Sequence, residues 1–164
     1  MVVAALIAPG MVRVKSRYVL FEILFPLDRA TDDYGDYEEL LTRLHKTSPL
    51  TFTAKQLARQ IKQLVQDHYG DYGGGSCSNL QVKYFSNKTS TGIVKVAREH
   101  FEMVVAALAL IDRLDSIPVI VRCLHVLGTV RKCQEWVMER NLAVVSSVNL
   151  SLALLDRKLA QLAG

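Results

Sequence analysis

The sequence predicts a layered α/β domain, and three observations predict it. Four segments rich in β-formers and two amphipathic or apolar helical segments follow one another as strand, helix, strand, strand, helix, strand. A short polar loop joins the second and third strands, as in a hairpin. Half of the 164 residues are apolar and only 7% aromatic, enough for one aliphatic core and one domain.

Arg17 to Phe25 is a strand stopped by Pro26. Tyr18, Leu20 and Leu24 alternate with Val19, Phe21, Ile23 and Phe25, so a central strand covered on both faces is expected. Leu27 to Pro49 reads as a long polar connection, acidic and then basic, and is expected to be mobile. Thr53 opens a helix. Thr53 and Gln56 fit a capping box, while Leu57, Ile61, Leu64, Val65 and His68 form one stripe. Gly70 is expected to end that helix. Gly73-Gly74-Gly75 then fall between a helix and a strand, with no Lys-Ser or Lys-Thr after them; a flexible connection is expected, not a phosphate loop. Leu80 to Ser86 and Thr91 to Ala97 form the hairpin.

Arg98 to about Leu114 is the second helix, apolar without interruption from Met103 to Ile111. Such a helix is buried all round or docks on another chain. Ile117 to Leu127 makes the fourth strand, and Gly128-Thr129 leads into a helix from Val130 to about Arg140 that carries Trp136. Val145, Val148, Leu152, Leu155, Leu159 and Leu162 mark a last helix whose apolar seam seeks a partner or its own sheet. The order is the split β-α-β pattern of an α+β sandwich, a ferredoxin-like or RNA-recognition-like β-α-β-β-α-β core with additional C-terminal helices. That topology does not by itself specify a function.

The formal charge of +4 hides an asymmetry. Asp28, Asp32, Asp33, Asp36, Glu38 and Glu39 face one base, Arg29, in a single short stretch; the rest of the chain holds 19 of the 20 bases and 10 of the 16 acids. A domain that basic, with one acidic loop set apart, points to a polyanionic partner. Cys77, Cys123 and Cys133 are odd in number and form no CxxC pair, which argues against a disulfide framework or a zinc site and for a reducing compartment. Residues 1–10 are apolar, yet they lack the basic leader of a secretory signal and are too short to span a bilayer. Met11 opens a more polar start, so translation from Met11 or a species-specific extension over 1–10 is expected. The domain then covers 11–141, with a variable acidic loop over 27–50 and a C-terminal helix over 142–164.

No nucleophile motif, H-E-x-x-H or paired Cys/His spacing appears. Asp112 and Asp115 read as solvated charges near a helix end, and Asp32-Asp33-Asp36 lacks the spacing of a calcium loop. RNA-recognition domains stack bases on aromatics of their central strands, but Thr91 to Ala97 has none. Basic contacts must therefore come from the edges. These are Arg13, Lys15 and Arg17 before and in the first strand, the hairpin around Lys83 and Lys88, and the helix start at Gly128, Thr129, Arg131 and Lys132. The loop Ser86, Asn87, Lys88, Thr89, Ser90, Thr91 offers short donors around a lysine, suited to phosphate and ribose oxygens. Each cluster taken alone reads equally as a solvated face or a turn.

Met11 through Glu22, Lys83 through Ile93 (KYFSNKTSTGI) and Gly128-Thr129-Val130-Arg131-Lys132 stand in an order that resembles a known family. It is the small protein subunit shared by eukaryotic ribonuclease P and ribonuclease MRP, the fifth processing-of-precursor protein, with archaeal relatives and fungal members as the nearest type. The likeness runs from about Met11 to Asn141. It implies a non-catalytic subunit that binds and stabilises the catalytic RNA, with magnesium on that RNA and no cofactor on the protein. It implies a TIM-barrel-like partner subunit and others of the particle, precursor tRNA as the particle's substrate, 5′-leader removal or precursor rRNA cleavage, and a nuclear and nucleolar location, away from membranes. Tyr18 joins the RNA-contact set under this resemblance. The over-apolar segments supply the expected protein interface: Met103, Val104, Leu108, Ile111, Leu152, Leu155 and Leu159. The alternative is a protein–protein adaptor on the same fold without direct RNA contact.

Overall fold

The computed structural model describes residues 15–26, 40–41 and 44–143. Strand β1 (Ser16–Leu24) is followed by helix α1 (Ala54–Ser76), strands β2 (Gln81–Ser86) and β3 (Thr91–Ala97) and helix α2 (Phe101–Ala109). A two-strand hairpin, β4 (Arg113–Leu114) and β5 (Ile117–Pro118), leads into β6 (Ile120–Leu127), and helix α3 occupies 130–143. The main sheet has the order β2-β3-β1-β6 with every neighbouring pair antiparallel, the arrangement of a ferredoxin-like core.

β1 sits in the middle because both its faces must be covered. Val19, Phe21 and Ile23, with Val94, Val96 and Val121 beside them, pack under Leu57, Ile61 and Val65 of α1 and Val104, Ala107 and Leu108 of α2. On the other face Leu20 and Ile93 are buried with Cys133, and Tyr18, Leu124, Leu127, Trp136 and Val137 close around them. So α3 makes a third layer over the face that RNA-recognition domains leave open. Burial pushes the thiols of Cys77, Cys123 and Cys133 up, and for Cys123 a backbone hydrogen bond at His125 partly opposes the rise. All three are free and act as small apolar residues.

Four local expectations are corrected. Gly70, at φ 62° and ψ −155°, breaks the helical path as expected, but Gly73-Gly74-Gly75, expected as a flexible connection, continue as a second helical arm of α1 to a cap at Cys77. His68, expected on the apolar stripe, is exposed. The capping box is half formed, since Thr53 Oγ1 accepts from the Gln56 N–H at 3.3 Å while the Gln56 side chain turns away to Asp115. The second helix ends at Ala109 instead of near Leu114. Asp115 (φ 49°) and Ser116 (φ 68°) form a two-residue turn with positive φ at both positions, pairing Leu114 with Ile117. No glycine announces that turn, and its strands are only two residues long, too short to show a period-two pattern. Of the connection before α1, residues 27–39 and 42–43 lie outside the described residues, and its described end is tied down: Phe25 N–H donates to Leu44 O (3.0 Å) and Ser48 N–H to Asn87 O (2.8 Å).

Gly92 pairs with both Phe21 and Phe85, whose rings lie 6.5 Å apart at 11°. A Cβ there would stand 2.5 Å from Phe21 Cζ, inside the buried core. Gly92→Ala should therefore cost about 1–3 kcal/mol by overpacking. A lowered urea midpoint with an unchanged m-value checks this, and an unchanged midpoint contradicts it.

Candidate nucleic-acid interface

Antiparallel pairing sets the start of β1 beside the end of β6: Tyr18 pairs with Leu127, and α3 starts just beyond. This brings Arg17 to Gly128, where a Cβ would lie 3.8 Å from the guanidinium. Thr129 Oγ1 caps α3 by accepting from the Lys132 N–H (3.3 Å), leaving Arg131 and Lys132 exposed on its first turn. Pairing with β3 adds Lys95 opposite Tyr18, and Arg98 N–H bonds Lys15 O at 2.9 Å. Lys15, Arg17, Lys95, Arg98, Arg131 and Lys132 thus gather at one end of the sheet. Glu99 is next to Arg98, and Glu135 pairs with Arg131 at 3.0 Å on the exposed helix surface, a contact of little stabilising worth. Arg13 lies outside the described residues.

The hairpin loop stands at the opposite end. Ile23 N–H bonds Ser90 O, so the loop is five residues along β1 from Tyr18, about 17 Å at strand rise. Lys88 therefore lies apart from the cluster at the β1 start. The loop's short polar groups are largely engaged within the chain. Asn87 Nδ2 donates to Pro49 O (2.7 Å) and Phe52 O (3.0 Å). Ser48 Oγ donates to Ser90 Oγ, which donates to Lys46 O, both at 2.8 Å. Thr89 and Thr91 share a hydroxyl contact at 2.7 Å. Lys88 and Thr89 are exposed, Ser86 is half-buried, and Lys83 is exposed on edge strand β2.

What fixes α3, and with it the cationic first turn, is a buried acid in the middle of β1. The Glu22 side chain is 2% exposed. Arg122 Nε of β6 donates to its Oε1 at 2.8 Å, and the Arg122 Nη2 contacts the same oxygen. Arg140 Nη2 of α3 meets Oε2 at 2.6 Å, and His45 Nε2 lies 3.7 Å from it. The Arg140 guanidinium also stacks 5.9 Å from the Trp136 ring. The sequence reading missed this cluster, although a lone acid in an otherwise apolar strand is a signal for one.

A profile of the Rpp14/Pop5 family matches residues 17–138, which include β1, the hairpin and the first turns of α3. The chain belongs to the Rpp14/Pop5 family. It is 38% identical over 144 residues to the ribonuclease P/MRP protein subunit POP5 of Saccharomyces cerevisiae, covering 86% of this chain and 83% of that protein. The Schizosaccharomyces pombe subunit of the same name is 40% identical over 141 residues, covering 85% and 95%. A chain in the cryo-EM structure of yeast ribonuclease MRP aligns at a TM-score of 0.45 and 11% identity, over 84% of this chain and 98% of that one.

In this family member the expected protein interface needs correction. Val104, Leu108 and Ile111 are buried in the chain's own core, and Met103 is half-buried against it, so α2 is spent within the domain. Leu152, Leu155 and Leu159 lie outside the described residues. No group of metal-ligating side chains occurs among the described residues, and no described helix is long and apolar enough to cross a membrane.

Removing the Glu22 charge strands two arginines. Glu22→Gln should destabilise by about 3 kcal/mol, the low end for a broken buried pair because Arg122 stays half in solvent. A double-mutant cycle with Arg140→Met should show strong coupling in chemical denaturation. Additive effects would mean that α3 is held by its apolar contacts alone.

Proposed function

We propose that this chain is a non-catalytic protein subunit of the ribonuclease P and MRP particles, binding and stabilising their RNA for tRNA 5′-leader removal and precursor rRNA processing. Magnesium sits on the RNA, and a TIM-barrel-like subunit and other proteins complete the particle in the nucleus and nucleolus. The observation that carries the reading is the gathering of Lys15, Arg17, Lys95, Arg98, Arg131 and Lys132 at the junction of β1 with the start of α3. Family membership supports the particle, since the curated relatives carry the name of a ribonuclease P/MRP subunit. Long cations, four of them exposed and Arg17 and Lys95 half-buried, suit phosphates without demanding a base, and the covered sheet face removes the usual stacking platform.

Arg131→Ala with Lys132→Ala should weaken RNA binding alike across sequences and lower the salt-dependence slope by about 1.4 to 1.8 for two lost phosphate contacts. Thermal stability should barely move. Lys88→Ala, measured beside it, reports whether the hairpin end also touches RNA. Unaltered affinity and slope in the Arg131/Lys132 variant would favour the adaptor without RNA contact. Incubated with precursor tRNA and magnesium, the purified protein freed of RNA should cleave nothing; cleavage would overturn the scaffold role.

A further inference from the structure

The kink at Gly70 turns the last part of α1 back along its own first half. Lys62 Nζ reaches Ser78 O at 2.8 Å, and Gly74 and Cys77 come beside Ala58. Between the two arms runs an open groove of about 520 Å³, edged by Lys55, Arg59 and Lys62. Gln63 and Gln66 add carboxamides, and among the described residues no carboxylate lines it. The nearest acids on the helix, Asp67 and Asp71, lie past the lining and accept from Gln63 and Gln66 at 2.9 and 2.8 Å. Neither Lys55 nor Arg59 makes an ion pair with a described residue. Three cations thus line one concavity unopposed, on the helical layer opposite α3.

We infer that this α1 groove is a second anion-binding surface, and that it takes the sugar–phosphate backbone of an RNA segment distinct from the one at the start of α3. Lys55, Arg59 and Lys62 are spread over about 10 Å of helix rise along one face, a spacing that suits a row of anions more than one small anion. A row of phosphates meets all three. Lys62 retains two donors beside its bond to Ser78, and the glutamine amides both donate and accept, as ribose hydroxyls require. Among the described residues no aromatic ring lines the groove, so it grips backbone and does not read bases. The inference rests on the proposed RNA-binding role, but the two surfaces lie on separate elements and can be tested apart.

The test titrates the full chain with one RNA hairpin of fixed sequence at several salt concentrations. Lys55→Ala with Arg59→Ala should lower the slope by about 1.4 to 1.8 with an unchanged melting temperature, because both side chains are exposed. The charge-keeping pair Lys55→Arg with Arg59→Lys should restore it. Combining the groove variant with Arg131→Ala and Lys132→Ala should give an additive loss. If the groove variant binds like the wild type while the Arg131/Lys132 variant loses affinity, the groove is no RNA site and the proposed function stands; an acidic protein as its true occupant gives that same result. If neither variant changes binding, both readings fall.

Discussion

A carboxylate almost wholly removed from water, in the middle of the central strand, is the constraint on which the arrangement of this domain depends. An unpaired buried charge costs several kcal/mol, so Glu22 can sit in β1 only if cations come to it. They come from two separate pieces of chain, Arg122 from β6 and Arg140 from α3, and His45 of the connection before α1 lies 3.7 Å from the same carboxylate. Each contact fixes a different element against the same two oxygens. Apolar groups of similar volume can pack as stably, but they do not say where along the sheet α3 must lie, and a charged pair does.

That placement decides the surface chemistry. Cys133, Trp136 and Val137 lie over Leu20 and Ile93, so the centre of the sheet is closed to bases. With Arg140 held at Glu22 and Thr129 following the end of β6, α3 runs along the sheet and its first turn meets the start of β1. The end of the sheet that carries Lys15, Arg17 and Lys95 becomes one cationic surface only because α3 is pinned at its other end.

The strands and their order were legible in the sequence because period-two apolar patterns and Pro26 mark them directly. β1 was legible even as a doubly covered strand, since both its faces are apolar. What escaped were features that depend on contacts between distant segments. The hairpin at Asp115-Ser116 uses positive φ without glycine, and its two-residue strands are too short to show a pattern. Gly70 looks like a helix end whether the chain stops or kinks there, and only packing of the following turn tells the two apart. The loop at Asn87 and Ser90 has the composition of a phosphate site, but its partners are the carbonyls of residues 46, 49 and 52, brought close only by the fold. The cations of β1 and α3 were recognised individually. Their adjacency, and the separation of Lys88 from them, follow from strand register, which composition does not encode.

The polar residues divide by length. Short side chains spend their hydrogen bonds inside the chain and stiffen it, Asn87 and Ser90 on backbone carbonyls and Ser48 on the Ser90 hydroxyl. Long ones, Lys15, Lys55, Arg59, Arg131 and Lys132, end in solvent. On the proposed reading, these long cations contact phosphate without reading bases, so they confer affinity and little sequence preference. Discrimination must then come from shape: from the fixed distance and opposite facing of the cationic surfaces on α1 and α3. A folded RNA core holds its backbone segments at set separations; an unstructured RNA does not. The stiffness that Glu22 and the hairpin loop give the sheet is therefore what would let a protein without base readout tell one folded RNA from another.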